Sequence, residues 1–284
     1  KGVTAMIDPF TLLAWRFATA LAVLGVLVVL RVVRLSLDRA VVKPLLVLAL
    51  LQPLVYYTAE TYGVMRTTAS ESALIISAIP VAMLATAAVL LGTRPSRRQA
   101  AGIAVTLVGV LVTVVAGGLS ARFDAWGYAL LFVAVLAFSL YAALAHRFAH
   151  TRDVDRTFVM VASGAVVFGT IAAAQHAAGG TLGRLATLPL AEPSFGLSVA
   201  ALALGPTIGA FFLQNVAIRN LGATRFSTFI GISTLVTLAL GAAVLGERLG
   251  WAQLLGGAAI LGGVYLANRP RRGEPAALPD QAVA

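Results

Sequence analysis

The chain contains no cysteine, which excludes disulfides, thiolate metal ligands and a cysteine nucleophile. Charge is almost as scarce, at 11% of 284 residues, and acids are the scarcer sign, with 11 Asp and Glu against 21 Lys and Arg. HExxH, GxxxxGK[ST] and GxGxxG patterns are all missing, so nothing points to a zinc hydrolase, to ATP-driven chemistry by this chain or to a dinucleotide cofactor. No polar segment is long enough to fold as a separate soluble domain. What remains is 60% hydrophobic, with a mean hydropathy of +0.93, the composition of a membrane protein.

Apolar runs of about 20 residues recur along the chain, each long enough to cross a hydrocarbon core of roughly 30 Å as a helix. They predict nine spans, near residues 10–30, 41–62, 69–91, 99–119, 125–145, 157–178, 196–218, 223–245 and 251–267. The runs are continuously apolar and rich in Ala and Leu, which argues against the short alternating strands of a β-barrel. If the loops alternate sides, Arg31, Arg34, Arg39, Lys43, Arg94, Arg97, Arg98, Arg147, Arg152, Arg156, Arg219, Arg225, Arg269, Arg271 and Arg272 share one side. Arg66, Arg122, Arg184 and Arg248 share the other. The positive-inside rule puts the first group in the cytoplasm, so the net charge of +10 reads as loop arginines rather than a nucleic-acid surface.

Two stretches repeat each other. GTRPSRRQAAGIAVTLVGVLV, Gly92 to Val112, and GERLGWAQLLGGAAILGGVYL, Gly246 to Leu266, align at an offset of 154. They match at Gly92/Gly246, Arg94/Arg248, Gln99/Gln253, Gly102/Gly256, Ala104/Ala258, Leu107/Leu261, Gly109/Gly263 and Val110/Val264. An odd number of spans separates the copies, so equivalent positions face opposite sides of the membrane, as in transporters built from inverted repeats. The second unit has five spans and the first shows four. The sequence begins at Lys1, and a further N-terminal helix is expected, giving ten in a five-plus-five arrangement.

The phrase resembles the signature that closes each half of the drug/metabolite transporter superfamily, specifically EamA-type transporters: a span with a proline, then Gly-Glu-Arg, then a Gln and a Gly-rich last helix. The first half keeps Pro80 but has Thr93 where Glu is usual, and the second keeps Glu247 but has Thr234 where Pro is usual. DPFTLLAWRFATALAVL, Asp8 to Leu24, is similar to the family's second helix, with Arg16 where an arginine is common. The resemblance implies an all-α integral membrane protein of two inverted repeats, residues 1–119 and 125–268; the tail, 269–284, has the composition of a disordered cytoplasmic end. It implies a secondary transporter of the inner membrane, working by alternating access and exporting small metabolites or amphipathic solutes such as amino-acid-like compounds and drugs. The other reading is an integral membrane enzyme acting on lipid or prenyl substrates.

Polar groups inside a span are costly and therefore informative. Arg16 lies two helical turns inside the first span, as a structural partner or a substrate-orienting cation. In LALLQPLVYYTAETYGV, Leu48 to Val64, Gln52, Tyr56 and Glu60 recur every four residues and share one helix face. Glu60 is a candidate proton-coupling group, or else it lies at the headgroups or pairs with Arg16 or Arg66. The offset carries Tyr57 to Phe211 and Glu60 to Gln214, so Phe211, Gln214 and Asn215 complete a predicted substrate site.

Other features read as structural. Gly205–Gly209, Ser227–Gly231 and Ala258–Gly262 place small residues one turn apart, a spacing suited to helix packing, and Gly205-Pro206 predicts a kink or local unwinding. Glu71 reads as a helix-start residue and Glu247 as a turn residue. His146, His150 and His176 read as solvated or interfacial rather than metal ligands. The expected partners are a small-molecule substrate and the bilayer, with room for proton coupling and a homodimer, and without nucleic acid, metal or cofactor.

Overall fold

The computed structural model describes residues 7–91, 96–118, 124–148, 150–220, 226, 236, 240, 243 and 250–268. The 223–245 span, Ser227–Gly231, Thr93, Arg94, Thr234, Glu247, Arg248 and the 269–284 tail lie outside these residues or rest on positions that do. Among the described residues every regular element is helical. Seven helical segments are long and apolar enough to cross a membrane: Pro9–Val29, Val41–Arg66, Ala69–Leu90, Arg97–Val115, Ala125–Ala145, Asp153–Ala178 and Pro193–Asn220. A shorter apolar helix covers Trp251–Ala267. Eight of the nine predicted spans thus have a helical counterpart, and the chain is a multi-pass membrane protein.

The helix starts follow from local chemistry. At α1 (Pro9–Val29), Asp8 accepts a hydrogen bond from Phe10 N at 2.9 Å, and Pro9 fills the first turn, where its missing N–H costs nothing. At α4 (Ala69–Ile76), Thr68 and Glu71 form a reciprocal cap, with Glu71 N donating to Thr68 Oγ1 at 3.1 Å and Thr68 N to Glu71 Oε2 at 3.0 Å. Glu71 is therefore a helix-start residue, as its position suggested.

The repeated glutamine has the same local job in both copies. At α6 (Arg97–Gly118), Ser96 N donates to Gln99 Oε1 at 2.9 Å. At α12 (Trp251–Asn268), Gly250 N donates to Gln253 Oε1 at 3.0 Å. The four N–H groups of a helix's first turn lack intrahelical partners, and a side chain reaching back satisfies one of the exposed donors there. Gln253 goes further, donating through Nε2 to Glu71 Oε1 at 3.0 Å.

The described chain divides into two compact units, residues 1–65 with 147–216, and 66–146 with 217–284. Each draws segments from both halves of the sequence. In the second unit, α6 and α12 pack so closely that glycine is required. A Cβ on Gly102 would fall 2.6 Å from Gly263 O, and one on Gly109 would fall 2.7 Å from both Gly256 O and Ile260 N. The contacts pair an early residue of one helix with a late residue of the other, so the two helices run antiparallel. Each glycine therefore meets the repeat equivalent of the other one, and near the crossing Thr106 Oγ1 donates to Ile260 O at 3.5 Å, positions separated by the repeat offset of 154.

This seam differs from the expected small-residue pair in one respect. A Cβ on Gly262 meets nothing within 4 Å among the described residues, so Ala258–Gly262 is not the packing face. Gly256 and Gly263, two helical turns apart, take that place, because two helices crossing at a shallow angle meet again after about seven residues rather than four. Leu74, Val81, Val110, Ile260 and Val264 fill the surrounding core. Pro80 lies in the first turn of α5 (Ile79–Leu91), just past the break that ends α4 at Ser77.

The first unit contains α1, α2 (Arg39–Ala49), α3 (Tyr56–Arg66), α8 (Asp153–Ala178), α9 (Leu182–Ala191), α10 (Pro193–Leu202) and the part of α11 (210–220) up to 216. The short helix α9 falls where the sequence suggested only a connection. Leu188 packs with Leu12, Phe195 and Val199, and Trp15 Nε1 donates to Leu185 O at 3.0 Å. Arg156, counted above among the loop arginines, is fully buried in the first turn of α8, where its Nη2 donates to Phe148 O and Thr151 Oγ1, each at 2.9 Å.

Candidate functional site

All seven residues singled out from the sequence belong to the first unit; two broken helices carry six of them, and Arg16 lies on α1. In the 41–66 span the helix is interrupted over Leu50–Val55. Gln52 has an extended backbone, φ −139° and ψ 117°, because the ring of Pro53 crowds the residue before it out of the helical region. In the 193–220 span the helix widens over Ala203–Gly209. Adding the repeat offset to Leu50–Val55 lands inside that same widened turn, so both breaks occupy corresponding places in the two halves.

Pro206 explains the second break. It has no N–H for the carbonyl of Leu202 one turn earlier. The hydroxyl of Thr207 donates to Leu202 O instead, at 2.8 Å, and its oxygen then accepts from Arg16 Nε at 2.6 Å. A helix defect thereby becomes an anchor for a buried cation. The kink expected at Gly205-Pro206 is present, but the glycine pair has a different role from the one its spacing suggested. A Cβ on Gly205 meets nothing within 4 Å among the described residues, so Gly205–Gly209 is part of the widened turn rather than a contact face.

Arg16 is 8% exposed. Its guanidinium carbon sits 4.4 Å from the centre of the Tyr57 ring and 5.7 Å from that of Phe17, where the negative ring face compensates part of the lost hydration. Tyr57 packs against Phe211 at 5.7 Å and against Tyr56 at 5.0 Å, and Phe17 packs against Phe168 at 5.4 Å. Tyr56 donates to Glu60 Oε1 at 2.8 Å, and Gln214 Nε2 donates to Gln52 Oε1 at 2.9 Å.

Arg16, Tyr56, Glu60 and Phe211 are thus linked through Tyr57, and Gln52 and Gln214 meet directly. Asn215 turns to α8, donating through Nδ2 to Thr157 Oγ1 at 3.0 Å. The pairings of Glu60 with Arg16 or Arg66 that the sequence left open are not formed among the described residues. Arg66 instead binds Asp124 at 2.8 Å. Its hydrogen bond, joined by those from Gly127 N and Trp126 N, holds the Asp124 carboxyl below the usual carboxylate range.

Sequence reasoning missed Thr207, Phe17, Phe168 and Thr157. A signal existed for Thr207, since a hydroxyl residue directly after a proline within a span is placed to satisfy the carbonyl the proline abandons. For the aromatic residues no spacing rule distinguishes a site wall from ordinary packing.

His176 is engaged at both ring nitrogens, by Thr11 Oγ1 at 3.0 Å and Thr181 Oγ1 at 2.8 Å. It lines an open recess of about 170 Å³ with Asp8, Thr11, Gln175 and Thr181; none of the seven candidate residues borders it. His150 is exposed and stacks edge-on with Phe148. Among the described residues no three His, Asp or Glu side chains cluster as metal ligands.

Comparison with known proteins extends the picture. The chain is 32% identical to the uncharacterized transporter YcxC of Bacillus subtilis (strain 168) over 263 residues, covering 92% of this chain and 84% of that one. It also superposes on a protein of known crystal structure with a TM-score of 0.62 at 19% identity, over 93% of this chain and 89% of that one, a likeness of fold. The model of the EamA-like transporter family matches residues 1–115 and again 125–269. A multi-pass helical protein with a buried polar cluster between two broken helices, matched twice by that model, this chain belongs to the EamA-like transporter family.

Proposed function

We propose that this protein is a secondary transporter that moves small amphipathic solutes across an inner membrane by alternating access, in the direction of export, with its two halves acting as inverted repeats. The observation that carries the reading is the cluster around Arg16: a cation, a carboxylate and paired amides among aromatic rings, inside spans where polar groups are otherwise rare. Broken helices at corresponding places in the two halves support it, because the freed backbone groups of such breaks commonly line transporter sites. The antiparallel α6–α12 seam supports the inverted arrangement. The names of the family and of the relative point to transport rather than to an enzyme.

The test is flux. The purified full-length protein in liposomes is expected to exchange labelled amphipathic solutes down an imposed gradient. Failure across a broad panel, with folded protein in the membrane, would refute the reading. Glu60 is the proposed coupling group: in Glu60→Gln, flux driven by a pH gradient should be lost while solute binding persists. Unchanged pH-driven flux would remove Glu60 from that role.

A further inference from the structure

Resting on the transporter reading, we propose that Arg16 receives the carboxylate of a monoanionic solute whose body is apolar or aromatic. The guanidinium is flanked by the Tyr57 and Phe17 rings, but its hydrogen bonding is incomplete. Its Nε is held by Thr207 Oγ1, whereas its Nη2 is buried with no hydrogen-bond partner among the described residues. Buried side-chain donors are nearly always paired, so an orphan on a charged group marks a place where an acceptor is missing. No carboxylate among the described residues forms an ion pair with Arg16, and the nearby acid, Glu60, accepts from Tyr56 instead. Among the described residues Arg16 therefore makes no direct ion pair, and Glu60 acts on it only through space.

The form of the cation selects the anion. A planar guanidinium presents N–H groups in a fork that matches the two oxygens of a carboxylate. A phosphate monoester would bring up to two negative charges to a single arginine with Glu60 close by, which favours a monoanion. The remainder of the solute must meet the aromatic cluster there: Phe17 and Tyr57 face the guanidinium, and Phe211 packs against both of those rings. These surfaces suit a hydrocarbon or aryl body and offer a polar body few partners.

The test uses the full-length protein in detergent and four probes that share one body: 3-phenylpropanoate, 3-phenylpropanamide, 3-phenylpropylamine and 2-phenylethyl phosphate. Ligand-dependent thermal stabilisation reads binding, and liposome flux is measured separately. The acid is expected to bind at least tenfold more tightly than the other three. Arg16→Gln should abolish that preference, and Arg16→Lys should keep part of it. The proposal is overturned if the amide, amine or phosphate binds as well as the acid, if none of the four binds, or if folded Arg16→Gln binds the acid within twofold of wild type. The comparison among probes on wild-type protein stands even if the variants do not fold. Acid binding without flux of any solute would overturn the transporter reading and leave the Arg16 assignment in place; flux of neutral solutes without acid preference would do the reverse.

Discussion

The glycine seam between α6 and α12 makes a quantitative prediction. A methyl group added at Gly109 would lie 2.7 Å from Gly256 O and from Ile260 N. Both are backbone atoms and cannot rotate away, so the helices would have to separate by about 0.7 Å to reach an ordinary contact of 3.4 Å. Forcing extra volume into a packed contact costs about 1–3 kcal/mol. Alanine also gains up to about 1 kcal/mol over glycine in a helix interior, and Gly262→Ala on the open face isolates that gain. The difference between Gly109→Ala and Gly262→Ala therefore measures the clash alone, at about 1–3 kcal/mol. A methyl group added at Gly263, the repeat equivalent of Gly109, would lie 2.6 Å from Thr106 N and 2.7 Å from Gly102 O, so Gly263→Ala should carry a matching penalty. Equilibrium unfolding in mixed detergent and SDS micelles, followed by circular dichroism, gives all three values. Gly109→Ala and Gly262→Ala agreeing within about 0.5 kcal/mol, the usual size of surface effects, would refute the close backbone approach.

Other expectations concern single contacts. Gln253→Ala removes the cap on Gly250 N and a donor to the buried Glu71 carboxylate; the same unfolding assay should register a loss of about 1–3 kcal/mol, and Gln253→Glu should not restore it, since like charges would then face each other. Gln52→Leu and Gln214→Leu break one hydrogen bond from either end, so a double-mutant cycle should return a coupling of about 0.5–1.5 kcal/mol, and additive losses would contradict the bond. The Asp124 carboxyl is held low by Arg66, so its contribution is complete above the ordinary Asp range and is lost as the pH falls through the lowered value. Wild type should exceed Asp124→Asn in unfolding midpoint at pH 7, and the gap should close in acid and shrink with added salt; a gap that widens in acid would reverse the assigned sign.

Much of the fold was legible because the bilayer imposes a length and a polarity on every span. Those constraints located Pro9–Val29 and Ala125–Ala145 to within about a residue, and the duplicated phrase pointed to α6 and α12. Less visible was which of several glycines would touch. Gly262 fits the one-turn spacing rule as well as its neighbours do, and the choice of Gly256 and Gly263 depends on the crossing geometry of two helices far apart in sequence. At the candidate site, Gln52, Tyr56 and Glu60 stood out because polar groups in an apolar run are costly. The role of Thr207 depended on a carbonyl left open by Pro206 and on a guanidinium 191 residues away. Helix α9 was hidden because it is too short to stand out as a span, and its one buried leucine, Leu188, is covered by Leu12 of α1, far away in sequence, and by Phe195 and Val199 of α10.

The seam has an implication for symmetry. Gly109 meets Gly256 while Gly263 meets Gly102, so a single patch, presented twice and turned end for end, supplies both walls. Such a face is self-complementary in the manner of a two-fold dimer interface. A half-length chain bearing that helix would already carry a face that fits a second copy of itself running antiparallel, with no new contact needed there.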